Sequence, residues 1–80
     1  MRKPSETQKR RVRELLRELR EAAKLRQIDL AERLGRPQSF VSKYESGEKT
    51  LDFLEVKEVC HALDVPMVEF VRRYEETSEI

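Results

Sequence analysis

The chain has one cysteine, one histidine, two glycines, three prolines and no tryptophan among its 80 residues. A lone cysteine excludes an internal disulfide framework and a cysteine-based zinc site. A lone histidine excludes most histidine-dependent metal sites. No Gly-rich phosphate loop and no paired-carboxylate pocket is visible. Apolar residues are 38% of the chain and charged residues 41%, and no stretch approaches the ~18 apolar residues that a membrane span needs. The basic N-terminus is not followed by an apolar stretch, so no secretory signal is expected, and a reducing cytoplasm is the default compartment. A chain this short allows one small domain, which buries about 60% of its unfolded surface. It is too short to enclose a substrate pocket, and no enzyme is expected.

What the chain has in abundance is charge, unevenly placed. The net charge is only +1. Residues 1–36 carry a balance of +6 and residues 37–80 a balance of −5. A positive half suggests a polyanion partner. The plainer explanation is a helical surface laced with ion pairs, and Glu6–Arg10, Arg10–Glu14 and Arg17–Glu21 have the spacing for it.

Apolar spacing and stop signals predict five helices and no strand. Met1–Pro4 and Ser5 form a short basic arm, the folded domain spans 6–76, and 77–80 is a tail. Ser5 with Gln8 fits a capping box, so the first helix begins near Glu6. Val12, Leu15, Leu16, Leu19, Ala22 and Ala23 then share one face. A second helix runs from Gln27 to Leu34 and stops at Gly35. Pro37 introduces a third, from Gln38 to about Glu45, with Val41 and Tyr44 inward. Asp52 caps a fourth, whose inner stripe is Phe53, Val56, Val59, Cys60 and Leu63. Pro66 opens a fifth, through about Glu76, with Met67, Phe70, Val71 and Tyr74 at i, i+3, i+4, i+7.

Two short helices joined by a tight turn at Gly35, with small Ala31 permitting close approach, have the layout of a helix-turn-helix. Gln27, Leu30-Ala31, Leu34-Gly35, Gln38-Ser39, Val41-Ser42, Glu45 and Gly47 sit at characteristic spacings. On these residues the stretch from Leu16 to Val65 resembles the lambda-repressor/Cro-like, or xenobiotic-response-element, helix-turn-helix family. The resemblance implies a compact all-α, five-helix domain with the motif in its second and third helices. It also implies sequence-specific binding of double-stranded DNA by a transcriptional regulator. The expected form is a repressor acting as a homodimer on a palindromic operator, in the cytoplasm on the nucleoid, without cofactor, metal or evident small-molecule ligand. A protein-interaction module of the same fold, an antitoxin or bridging factor, is the alternative.

With Val41 and Tyr44 inward, Gln38, Ser39, Ser42 and Lys43 lie on the opposite side. Groove reading needs that chemistry: an amide for adenine, adaptable hydroxyls, a cation for guanine or phosphate. By resemblance Gln38, Ser39 and Lys43 are base-contacting. Phe40 either touches a thymine methyl or tucks against the turn. Gln27 and Ser42 match positions that hold the phosphate backbone or brace the reading residues. Arg26, Arg36 and Lys49 are further backbone candidates, with Arg2, Lys3, Lys9, Arg10, Arg11 and Arg13. For the cations of the first helix, pairing with glutamate neighbours competes with phosphate contact. Arg20 and Glu45 match a partly buried ion pair that orients the third helix.

The family pattern is broken at several places. Lys24 stands where Gly usually ends the first helix, so a left-handed lysine is expected there. Arg26 replaces a Ser/Thr cap, Pro37 a Ser/Thr, Leu51 a Pro and Asp64 a Gly. In the fifth helix Met67, Val68, Val71 and Tyr74 supply a candidate dimer surface; alternatively they only cap the core. Cys60 is expected to be a small buried group, with His61 facing water.

Overall fold

The computed structural model describes residues 5–77. The helices are α1 (Glu6–Ala22), α2 (Gln27–Leu34), α3 (Gln38–Ser46), α4 (Phe53–Ala62) and α5 (Met67–Thr77), and no strand occurs among the described residues. The fold is all-α. The arm residues Met1–Pro4, with Arg2 and Lys3, and Ser78–Ile80 of the tail lie outside the described residues. Thr77 belongs to α5 rather than to a tail.

Helix starts follow local chemistry. The Ser5 hydroxyl accepts from the Gln8 amide at 3.1 Å while the Gln8 side chain accepts from the Ser5 amide at 2.9 Å. Asp52 and Glu55 repeat this reciprocal cap on α4 at 2.7 and 3.0 Å. Pro37 and Pro66 each precede a helix, and their carbonyls accept from Phe40 and Phe70. Both lack an N–H that the helix start could not have satisfied.

Helix ends show how a glycine-poor chain stops its helices. Four of them close through a left-handed residue: Lys24 at φ 63°, Gly35 at 67°, Gly47 at 92° and Asp64 at 60°. After Lys24 the Leu25 amide reaches back to the Arg20 carbonyl at 3.2 Å, and after Asp64 the Val65 amide reaches Cys60 at 2.9 Å. These bonds recover carbonyls that a helix end otherwise orphans. A side chain in this region costs about 1 kcal/mol. Lys24→Gly and Asp64→Gly are therefore each expected to raise stability by about 1 kcal/mol. Thermal melting checks this; a lower melting temperature in both would contradict the strain. Gly47 has a second constraint. A Cβ there would meet the Arg13 guanidinium carbon at 2.9 Å, so the missing side chain lets that cation lie against the C-terminal end of α3, where the helix dipole favours it.

One core joins all five helices: Leu15, Leu16 and Leu19 of α1, Leu30 and Ala31 of α2, Val41 and Tyr44 of α3, Val56, Val59 and Cys60 of α4, and Phe70 of α5, with Leu63 just beyond α4. Each large apolar side chain buried here contributes roughly 1.5–3 kcal/mol. Ala31 is 1% exposed, and its small size permits the close approach of α2 and α3. Burial pushes the Cys60 thiol up to about 11, which keeps it protonated. The Tyr44 hydroxyl is buried without a hydrogen-bond partner among the described residues, and burial drives its titration upward.

Four expectations are corrected. Ala22 and Ala23 are exposed because α1 ends there, before the apolar periodicity does. Phe53 is 69% exposed: as the first residue of α4 it projects past the core. Of the expected α5 stripe, Phe70 is buried and Met67 and Tyr74 half-buried, but Val71 is exposed. Of the three i,i+4 pairs expected along α1, only Arg17–Glu21 closes, at 3.3 Å; Arg11 instead reaches Glu18 at 3.4 Å.

Candidate nucleic-acid interface

α3 is a nine-residue helix with two unlike faces. Val41 and Tyr44 are fully buried, anchoring it from beneath. Gln38, Ser39 and Lys43 are exposed on the other side. Ser42 is half-buried and donates to the Ser39 carbonyl at 3.3 Å. A donor spent inside the helix suits a brace better than a reader.

Beneath this face runs a polar chain that begins in the core. Arg20 is the buried charge of α1. Its Nε donates to Glu45 Oε2 at 2.7 Å and its Nη2 to Oε1 at 3.1 Å. Its Nη1 donates to the Leu25 carbonyl at 2.7 Å, tying down the loop before α2. Gln27 Nε2 donates to Glu45 Oε1 at 2.9 Å. A carboxylate only accepts, so this bond turns the Gln27 carbonyl oxygen outward. There it accepts from Gln38 Nε2 at 3.5 Å. The amide of Gln38 is thereby oriented: its oxygen is left as an acceptor, and its second N–H as a donor. Adenine offers the complement, a donor at N6 and an acceptor at N7. The hydrogen bond with Glu45, more than the Coulombic attraction, holds the Arg20 charge in place against its desolvation.

The remaining cations divide into held and unheld. The Arg26 side chain gives α2 no cap, but it folds onto Asp29 with bonds of 3.0 and 2.9 Å. Asp29 also accepts from the Arg26 amide at 2.8 Å, recovering half of a capping box. These bonds hold the Asp29 carboxyl down to about 2. Arg36 lies over the Phe40 ring, its guanidinium carbon 4.4 Å from the centroid, and grips Glu58 through Nη2 at 2.9 Å and Nε at 3.3 Å. Lys49 sits 5.8 Å from the same centroid and pairs with Glu55 at 3.3 Å. Phe40 is half-buried and packs edge-on against Tyr44, ring centroids 5.7 Å apart. No ion pair among the described residues engages Lys43.

Sequence reasoning did not find the Arg36–Glu58 pair, the stacking on Phe40, or the bond from Arg33 to the Ala62 carbonyl at 3.0 Å that ties α2 to the end of α4. The two hydrogen-bonded pairs join residues 22 and 29 apart, and no local spacing signals them. Arg36 is only four residues from Phe40, but it lies in the turn before α3, where helical spacing does not apply.

On α5, Val68 is 82% exposed and Val71 47%. Met67 and Tyr74 are packed against the core cluster. No helix among the described residues is long and apolar enough to cross a membrane.

Comparison with known proteins agrees with this architecture. Residues 16–70 match the family model described as helix-turn-helix. Among solved structures, an XRE-family like protein from Pseudomonas syringae pv. tomato str. DC3000 superposes with a TM-score of 0.83. It is 37% identical, and the match covers 91% of this chain and 89% of that one. No curated protein matches. The matched stretch contains α2, the Gly35 turn and α3 with both of its faces. The chain belongs to the XRE-type helix-turn-helix family, a class of DNA-binding regulators whose members are generally not enzymes.

Proposed function

We propose that the protein reads a specific duplex sequence with the outer face of α3 and acts as a homodimeric repressor on a palindromic operator. The observation that carries this reading is the exposure of Gln38, Ser39 and Lys43 on a helix whose reverse side is locked into the core. Gln38 and Lys43 take base edges, with Ser39 as an adaptable third contact. Gln27, Ser42, Arg26, Arg36 and Lys49 serve the phosphate backbone directly or by bracing. The folded unit is 6–77, since α5 runs through Thr77, and its site of action is the nucleoid.

A recognition helix this short reads about four base pairs, too little information to find one site in a genome. Two copies on half-sites ~34 Å apart supply the rest. The exposed Val68 and Val71, flanked by Met67 and Tyr74, support α5 as the self-complementary surface. An operator covered by such a dimer is closed to other proteins, which is repression.

Sedimentation tests the dimer. The chain is 9.6 kDa, and on a duplex carrying an inverted repeat the complex is expected to gain the mass of two chains over that of the duplex alone. A clean monomer with and without duplex at tens of micromolar would remove the dimer. If about four phosphates are neutralised per subunit, the dimer's log–log salt slope is near −7; a slope near −2 would contradict specific docking of this surface. The protein-interaction alternative draws on Phe53 and Leu54, exposed side by side at the start of α4. It requires that Gln38 and Lys43 be dispensable.

A further inference from the structure

Three segments converge on the Phe40 ring. The turn before α3 supplies Arg36, the loop after α3 supplies Lys49, and α4 supplies the two carboxylates that hold them, Glu58 and Glu55. Both cations flank the reading helix, Arg36 two residues before Gln38 and Lys49 three residues after Ser46. They stand where a duplex backbone passes if α3 enters a groove, so this inference rests on the DNA-binding reading. Each already spends donors on its carboxylate, Arg36 through Nε and Nη2 and Lys49 through Nζ, so a phosphate must compete for the bidentate edge of Arg36 and for the charge of both.

Both pairs are open to exchange, Arg36–Glu58 more than Lys49–Glu55, whose side chains are 37% and 19% exposed. The Arg36 and Glu58 side chains are 36% and 42% exposed, against 9% and 4% for Arg20 and Glu45. A half-exposed pair is worth little in water, and a phosphate offers the guanidinium the same bidentate geometry as a carboxylate. The Phe40 ring lies 4.4 Å from the Arg36 guanidinium carbon, a cation–π contact that needs no change when the anion at the guanidinium edge is exchanged.

We propose that Glu58 and Glu55 are internal counter-ions that compete with DNA phosphate for Arg36 and Lys49, and so restrain the grip of the protein on duplex of any sequence. Non-specific binding draws its strength from phosphate contacts, so a competitor for these cations weakens it directly. Base contacts by Gln38 and Lys43 are untouched by the exchange. The acids thus hold down the background against which base reading must be distinguished.

The test is Glu58→Gln and Glu55→Gln, alone and together, titrated against a random-sequence duplex over a range of salt. Glutamine at 55 still closes the α4 cap, and Glu58 is half-exposed, so the variants keep their fold; circular dichroism monitors this. Each substitution is expected to tighten binding roughly two- to fivefold, the worth of an exposed pair. A freed carboxylate takes up a cation when its partner leaves for phosphate, so each substitution also steepens the log–log salt slope by up to about 0.9. In an Arg36→Gln background, Glu58→Gln should give no gain, which separates competition for that cation from a general loss of negative charge. Unchanged or weaker binding by both variants would overturn the proposal, the weaker result marking the pairs as braces for α3. An equal gain in the Arg36→Gln background would overturn it too. A wild-type protein that binds no duplex removes the DNA reading together with this proposal; one that binds while both variants are neutral removes this proposal alone.

Discussion

Arg20→Ala is expected to destabilise the fold by about 3–5 kcal/mol, the cost of leaving one member of a buried pair without its partner. The Arg20 and Glu45 side chains are only 9% and 4% exposed, and two bonds of 2.7 and 3.1 Å join them. Without the guanidinium the Glu45 carboxylate keeps Gln27 but loses its cation, and the Leu25 carbonyl loses its donor. Small domains are stable by only about 5–15 kcal/mol, so this is a large fraction of the total. Urea unfolding followed by circular dichroism measures it. A loss near zero would show that the pair is solvated and that α1 does not hold the end of α3. The intact pair need not add net stability, because desolvation offsets most of the attraction. Its role is orientation: through Gln27 it sets the amide of Gln38.

Gln38→Ala and Lys43→Ala are expected to abolish sequence preference. Each base contact is worth about 1–3 kcal/mol, or roughly five- to 150-fold between the preferred duplex and a scrambled one. The preferred site should weaken by that factor, while Gln38→Ala leaves random-duplex binding nearly unchanged because it removes no charge. Lys43→Ala should also weaken the random duplex, since a cation serves any phosphate. Competition gel shifts with both duplexes measure the ratio. Unchanged selection of one motif by both variants would move recognition off this face and favour the protein-interaction alternative.

The fold was legible because local rules agreed with one another. Ser5 with Gln8, Asp52 with Glu55, and the prolines before α3 and α5 mark helix starts chemically. Gly35 and Gly47 mark ends. Lys24 and Asp64 stop helices just as firmly. Asp64, shortly before Pro66, is a residue type that enters left-handed backbone more readily, whereas nothing in the chemistry of Lys24 announces it and only the family pattern pointed to left-handed backbone there. Apolar periodicity overran at Ala22 and Ala23 and misassigned Phe53, because spacing does not know where a helix leaves its neighbours. It also passes over Arg20, a charge on the inner face. The outward set on α3 followed from placing Val41 and Tyr44 beneath it. The ring of Phe40 with its two cations did not follow, because it needs α4 docked before Glu58 and Arg36 meet.

The most direct measurement is an amide map of the protein by NMR during titration with a short duplex taken from a selected pool. If α3 is the reading helix, the largest changes fall on Gln27, Gln38, Ser39, Ser42 and Lys43, with smaller ones at Arg36 and Lys49. Changes confined to α4 and α5, with the α3 amides unmoved at saturation, would mean that DNA does not dock on this surface.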